Sequence, residues 1–182
     1  MKNPYADIIS RGINERGSVR TAFRGRSMAP TLLDGMLIEA DSIEPVRIRA
    51  GDVILYRRAD QMVVHRVIGV SRGPGERIFV TKGDNQAYME SERVREESLM
   101  GIVRGAFRED EPRKNLLVEN RAIGLSYVAM GRLADFAMRN RTHVPRFVRL
   151  ALRHIVGALF LAFKRSIHVA YRLSQGIDLS TK

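Results

Sequence analysis

Between Asp34 and Phe107 the chain is a series of short apolar, β-prone runs divided by turn residues, and this punctuation limits the fold more than any other feature. Asp34-Gly35 leads into the apolar run 36–40, and Ala50-Gly51-Asp52 into 53–56. Ala59-Asp60-Gln61 turns into 62–70, Gly73-Pro74-Gly75 into 77–81, and residues 101–107 supply a last strand. None of these runs is long enough, or spaced correctly, for a long amphipathic helix. No repeat or low-complexity tract interrupts them. The expected fold is mainly β, a compact, partly closed antiparallel barrel or folded sheet. Ahead of it, residues 4–16 read as a short helix ending near Gly17 and packing on the domain, with 18–23 as a strand behind it. Three segments are expected: a helical arm over 1–17, a β domain over 18–112, and a basic helical extension over 113–182.

Charge supports the second boundary. The net charge is +11, yet residues 1–112 hold 18 Lys and Arg against 17 Asp and Glu, whereas residues 113–182 hold 13 against 3. A nearly neutral domain is thus followed by a segment suited to an anionic partner. The chain has no cysteine, which excludes disulfides and thiolate metal sites. The four histidines, His65, His143, His154 and His168, lack ligand spacing with carboxylates, so neither a metal nor another cofactor is expected.

Chemistry enters at Gly25-Arg26-Ser27-Met28-Ala29-Pro30. A glycine lets backbone approach a substrate, and a proline three residues past the serine keeps the loop from winding into a helix. Ser27 is the candidate nucleophile, and a serine needs a base brought to it by the fold. By itself such a loop is equally ordinary turn chemistry.

The candidate base is His65, in Val63-Val64-His65-Arg66-Val67. Strand alternation puts Val63, His65 and Val67 on one face and Val64 and Arg66 on the other. A nearly apolar face keeps imidazole neutral and able to accept a proton. The plain alternative is a half-buried histidine bonded to a backbone carbonyl. An acid that orients the ring would complete the set, and Asp84 in Thr81-Lys82-Gly83-Asp84-Asn85 is one candidate, Glu90 the other. Asp84 also suits a self-bonded turn, and Glu90 a solvated charged run.

Taken in order, these fragments resemble the signal peptidase I superfamily. The resemblance rests on Gly-x-Ser-Met-x-Pro, Gly-Asp-Val before a strand, Val-His-Arg-Val, Thr-Lys-Gly-Asp-Asn and a glycine-containing strand, and it covers roughly residues 18–107. It is similar to the Ser-His-Asp branch found in archaea and the endoplasmic reticulum. LexA-like repressors of the same superfamily use lysine as base, but no lysine lies between Ser27 and Lys82. The resemblance implies an all-β serine endopeptidase in which Ser27 attacks a peptide carbonyl, His65 is base and then acid, and an acyl-enzyme is hydrolysed. The family's acid after the Gly-Asp-Asn motif aligns with Glu90, while Asp84, the Asp of that motif, also matters in relatives and ranks first as third residue because aspartate is the type expected. Relatives often have a serine where Gly25 stands, so oxyanion stabilisation falls to backbone N–H groups of the loop formed by Gly25, Arg26, Ser27 and Met28. Relatives also carry a membrane span ahead of the serine. Only Ile8-Ile9 stands where an apolar stretch would have to be, so the expected location is cytoplasmic, peripheral at the inner face of the membrane.

The basic half suggests how that surface is reached. Arg146, Arg149, Arg153, Gly157, Lys164, His168 and Arg172 form one stripe at helical spacing, with Leu and Phe filling much of the rest. The longest uncharged run, 155–163, is about half of the roughly 20 residues a span needs. Residues 144–174 therefore suit the interface of an anionic membrane, or packing on the β domain or on a second copy. Nucleic acid is not an expected partner, because no recognition motif appears. The expected partner at the site is a peptide or protein substrate. The competing functional class is a catalytically inactive member of the same fold, acting as a membrane-surface or regulatory peptide-binding module.

Overall fold

The computed structural model describes residues 4–73, 75–86, 91–108 and 123–129, together with residues 132, 154, 155, 158, 161–163, 165, 166 and 169. The chain forms two compact units, Met1–Val128 and Ala129–Lys182. In the second, the described residues are helical, and Ile155, Leu161 and Val169 are exposed. The basic stripe expected over 144–174 falls on residues outside those described.

The first unit is built on seven antiparallel strands: β1 (Ser18–Ala22), β2 (Leu37–Asp41), β3 (Val53–Arg58), β4 (Gln61–Arg72), β5 (Arg77–Lys82), β6 (Glu92–Arg95) and β7 (Leu99–Phe107). They form one sheet in the order β1-β2-β7-β3-β4-β5-β6, curled into a half-barrel. The expected mainly β fold is what the chain adopts. Strand β6 lies in a run that the sequence reads as solvated charge.

Strand β3 shows why the sheet holds. Its four leading residues are all buried, and alternation divides them between two cores. Val53 and Leu55 join Phe23, Met28, Leu32, Ile38, Val64 and Val103 on one side. Ile54 and Tyr56 join Val63, Val67, Phe79 and Val94 on the other. A strand covered on both faces reads as an unbroken apolar run, which is how residues 53–56 appear in the sequence.

Helix α1 (Pro4–Arg16) closes the first core, laying Ala6, Ile9 and Ile13 against it. These residues recur at the spacing of one helical face. At its end the Gly17 N–H donates to the Ile13 carbonyl at 3.0 Å. The helix therefore belongs to the domain, with Asp7 paired to Arg57 of β3 at 2.7 Å and the Tyr5 hydroxyl bonded to Thr21 of β1 at 2.7 Å.

Candidate functional site

The loop carrying Ser27 is anchored from both ends. Gly25 has φ of 112°, a conformation that favours glycine, and its N–H donates to Asp34 Oδ1 at 2.7 Å. Beyond the serine, Met28 and Leu32 are fully buried, and the Leu32 N–H closes a single turn on the Met28 carbonyl at 3.0 Å. Ser27 is left half-buried between these anchors. Since the Gly25 N–H is already engaged, the loop's capacity to bind an oxyanion rests on the amides that follow it. Among the described residues, those of Ser27 and Met28 make no backbone bond.

A second turn braces the serine from behind. The Asn85 N–H donates to the Ser27 carbonyl at 2.7 Å. A Cβ placed on Gly83 would fall 2.5 Å from that carbonyl oxygen and 3.0 Å from Ser27 Cβ, so the position has no room for a side chain. The Lys82 ammonium holds this turn by donating to the carbonyls of Gly83 at 2.8 Å and Gln86 at 2.9 Å.

His65 lies on β4 with 2% of its surface exposed, on the same side of the sheet as Val63 and Val67. Its Nδ1 lies 3.1 Å from the Tyr56 hydroxyl, and the rings meet edge to face with centroids 6.1 Å apart. Tyr56 stands opposite Val63 in the β3–β4 ladder, one diagonal step from His65 on the same face. The Tyr56 hydroxyl donates to Glu92 Oε2 on β6 at 3.1 Å, and Glu92 is in turn paired with Arg58. Burial pushes the Tyr56 phenol well above its ordinary pKa. Burial likewise lowers His65 to about 4, with Glu92 pulling the other way, so the imidazole is neutral at neutral pH.

The acid expected beside the ring is engaged elsewhere. Asp84 is buried, and its two oxygens receive Arg66 Nε at 2.9 Å and Arg66 Nη2 at 2.8 Å, while Thr31 donates to Oδ2 at 2.5 Å. This bidentate pair saturates the directions a carboxylate offers most readily. Arg66, fully buried, also donates Nη1 to the Gly51 carbonyl at 2.8 Å and stacks 5.2 Å from the Tyr127 ring in the helical stretch 123–129. Asp84 therefore binds the serine loop, through Thr31, to Arg66, and Tyr56 holds His65 Nδ1. Glu90, the other expected acid, is outside the described residues. Glu92, Tyr56 and Arg66 were not apparent as site residues in the sequence.

Ser27 and His65 line one cleft of about 500 Å³. Its walls are mixed: Phe23, Ile38, Leu55, Met62 and Val64 are apolar, Thr21, Gln61 and Gln86 are polar, and Arg24 and Arg58 bring charge to it. Two strand edges with unused hydrogen-bonding capacity contribute to it. Among the described residues, β1 ends the sheet and pairs only with β2, and residues 61–65 of β4 pair with β3 alone because the β5 ladder begins at Arg66.

No protein-family model matches the chain. It is 35% identical over 75 residues to signal peptidase I W of Bacillus subtilis (strain 168), which covers 40% of each sequence. The chain thus spans well under half the length of this curated relative in the match. The similarity supports a signal peptidase I-like relationship. No helix among the described residues is long and apolar enough to cross a membrane.

Proposed function

We propose that this chain is a serine endopeptidase of the signal-peptidase type, with Ser27 as nucleophile and His65 as base. The observation that carries the proposal is that these two side chains, 38 positions apart in the sequence, line the same cleft. A substrate peptide enters extended, adding a strand to the open edges of β1 and β4. The apolar part of the walls, Phe23, Ile38, Leu55, Met62 and Val64, suits hydrophobic side chains of the substrate.

His65 Nε2 takes the Ser27 proton as Oγ attacks the substrate carbonyl. The amides of Ser27 and Met28 face the developing oxyanion, in the loop where Gly25 and Arg26 set the backbone path. As the tetrahedral species collapses, the imidazolium returns its proton to the leaving amine, and a water activated by the same ring then releases the acyl group. Asp84 acts at a distance, fixing the loop that presents Ser27. The histidine and the Thr81-to-Asn85 motif support a reading of the chain as nearer the Ser-His branch of the superfamily than its lysine-using branch.

The substrate is a peptide or protein. The basic segment 144–174 is proposed to rest on an anionic membrane surface, a reading supported by the exposure of Ile155, Leu161 and Val169 in the described helical residues. Incubation with a degenerate peptide library tests the peptidase reading. Wild-type cleavage that disappears in both Ser27→Ala and His65→Ala supports it; a protein that binds peptides but cleaves none is the inactive binding module instead.

A further inference from the structure

We infer that Tyr56, backed by Glu92, is the group that positions His65, so that the base is held through a phenol rather than directly by a carboxylate. The inference rests on the peptidase reading above. The geometry fixes who donates to whom. A carboxylate accepts and cannot give, so the single phenolic proton of Tyr56 goes to Glu92 Oε2 at 3.1 Å. The phenol oxygen is then an acceptor for the ring nitrogen 3.1 Å away, which requires that His65 carry its proton on Nδ1. Nε2 is left with a lone pair, as a base toward Ser27 requires. Thr81 Oγ1, 3.4 Å from the same phenol oxygen, steadies it further.

The arrangement does for His65 what a directly bonded acid does elsewhere. It selects one tautomer, and when the ring becomes imidazolium the Glu92 charge is felt through a polarised hydroxyl. The proton remains on the imidazole throughout and the phenol stays protonated. Among the described residues, four charged groups act on the ring: Arg58 from β3, Lys82 from β5, Asp84 from the adjoining turn and Glu92 from β6. Of these, Glu92 is the one joined to it through Tyr56. Asp84 is taken by Arg66 and Thr31.

The test uses the full chain labelled with ¹⁵N-histidine, with His65→Ala to assign the resonance, and the rate of reaction with a fluorophosphonate probe. The wild type is expected to show a pyrrole-like Nδ1 and a pyridine-like Nε2. Tyr56→Phe, which keeps the ring packing and removes the oxygen, is expected to mix the tautomers and slow labelling by about 10²-fold. Glu92→Gln lies on a part-exposed strand and tests the same relay should the first variant fold poorly. It is expected to move the acid limb of the labelling rate to lower pH and to slow the reaction. A wild-type ring protonated at Nε2 overturns the inference, as does a Glu92→Gln variant with unchanged tautomer, rate and acid limb. These results are separable from failure of the peptidase reading, which appears as labelling that survives Ser27→Ala whatever the state of the ring.

Discussion

Arg66 clasps Asp84 with two parallel hydrogen bonds, 2.9 and 2.8 Å long, in a site where both side chains are buried. Two charges removed from water are tolerable only as a pair, so deletion of either strands the other. Arg66→Ala is predicted to cost about 3–5 kcal/mol of stability. Arg66→Lys should recover only part of this, because an ammonium cannot reproduce the fork. Chemical denaturation of the three proteins measures the effect. A loss below about 1 kcal/mol, the range of a surface pair, would contradict the buried clasp.

Gly83 and Ser27 are in contact through backbone, and this makes Gly83→Ala informative. The added methyl meets the Ser27 carbonyl oxygen at 2.5 Å before any relaxation. The predicted cost is about 1–3 kcal/mol, together with a marked loss of Ser27 reactivity because the loop is pushed toward the cleft. Thermal melting read alongside probe labelling separates the two effects. A variant as stable and as reactive as the wild type would mean that the turn does not brace the serine.

The depressed pKa of His65 predicts two pH effects. In the proposed mechanism reaction at Ser27 needs the neutral ring, so its rate should fall as pH drops through about 4 rather than through the ordinary histidine value of 6.5. Stability follows the same group. Between 6.5 and 4 the unfolded chain takes up a proton that the folded one refuses, so the contribution of the neutral ring is complete above 6.5 and declines with acidity. By pH 4 the loss amounts to about 3 kcal/mol. Denaturation across this range, compared with His65→Gln, isolates the term. Equal pH slopes for the two proteins would show that His65 titrates normally in the fold.

For the C-terminal segment, anionic vesicles are predicted to bind the full chain at low salt and to release much of it at high salt, since the segment carries most of the net charge. Co-sedimentation measures this. Absence of binding at low salt would remove the membrane proposal while leaving the peptidase reading intact.

Legibility in the sequence followed packing. The runs at 53–56 and 62–70 could be read because both faces of β3 and β4 are covered, which leaves unbroken apolar residues between turn signals. Ser27 and His65 stand out as candidates because their types are chemically restrictive and their neighbours form motifs. Strand β6 could not be read, since of Glu92-Arg93-Val94-Arg95 only Val94 reaches the core and the rest looks like a solvated run. The partner of Asp84 was hidden for a different reason. Nothing local marks Arg66, 18 positions away, as buried, because its charge is neutralised only once β4 and the turn after β5 meet. In the sequence Tyr56 reads as one more apolar strand residue. Its hydroxyl acquires a role through the diagonal register with His65, and register is a property of the pairing.

The most direct measurement is mass-spectrometric mapping of a fluorophosphonate adduct on the full chain. A single modified peptide is expected, carrying the label on Ser27, absent from Ser27→Ala and strongly slowed in His65→Ala. A label on another serine, or one that forms equally fast without His65, would contradict it.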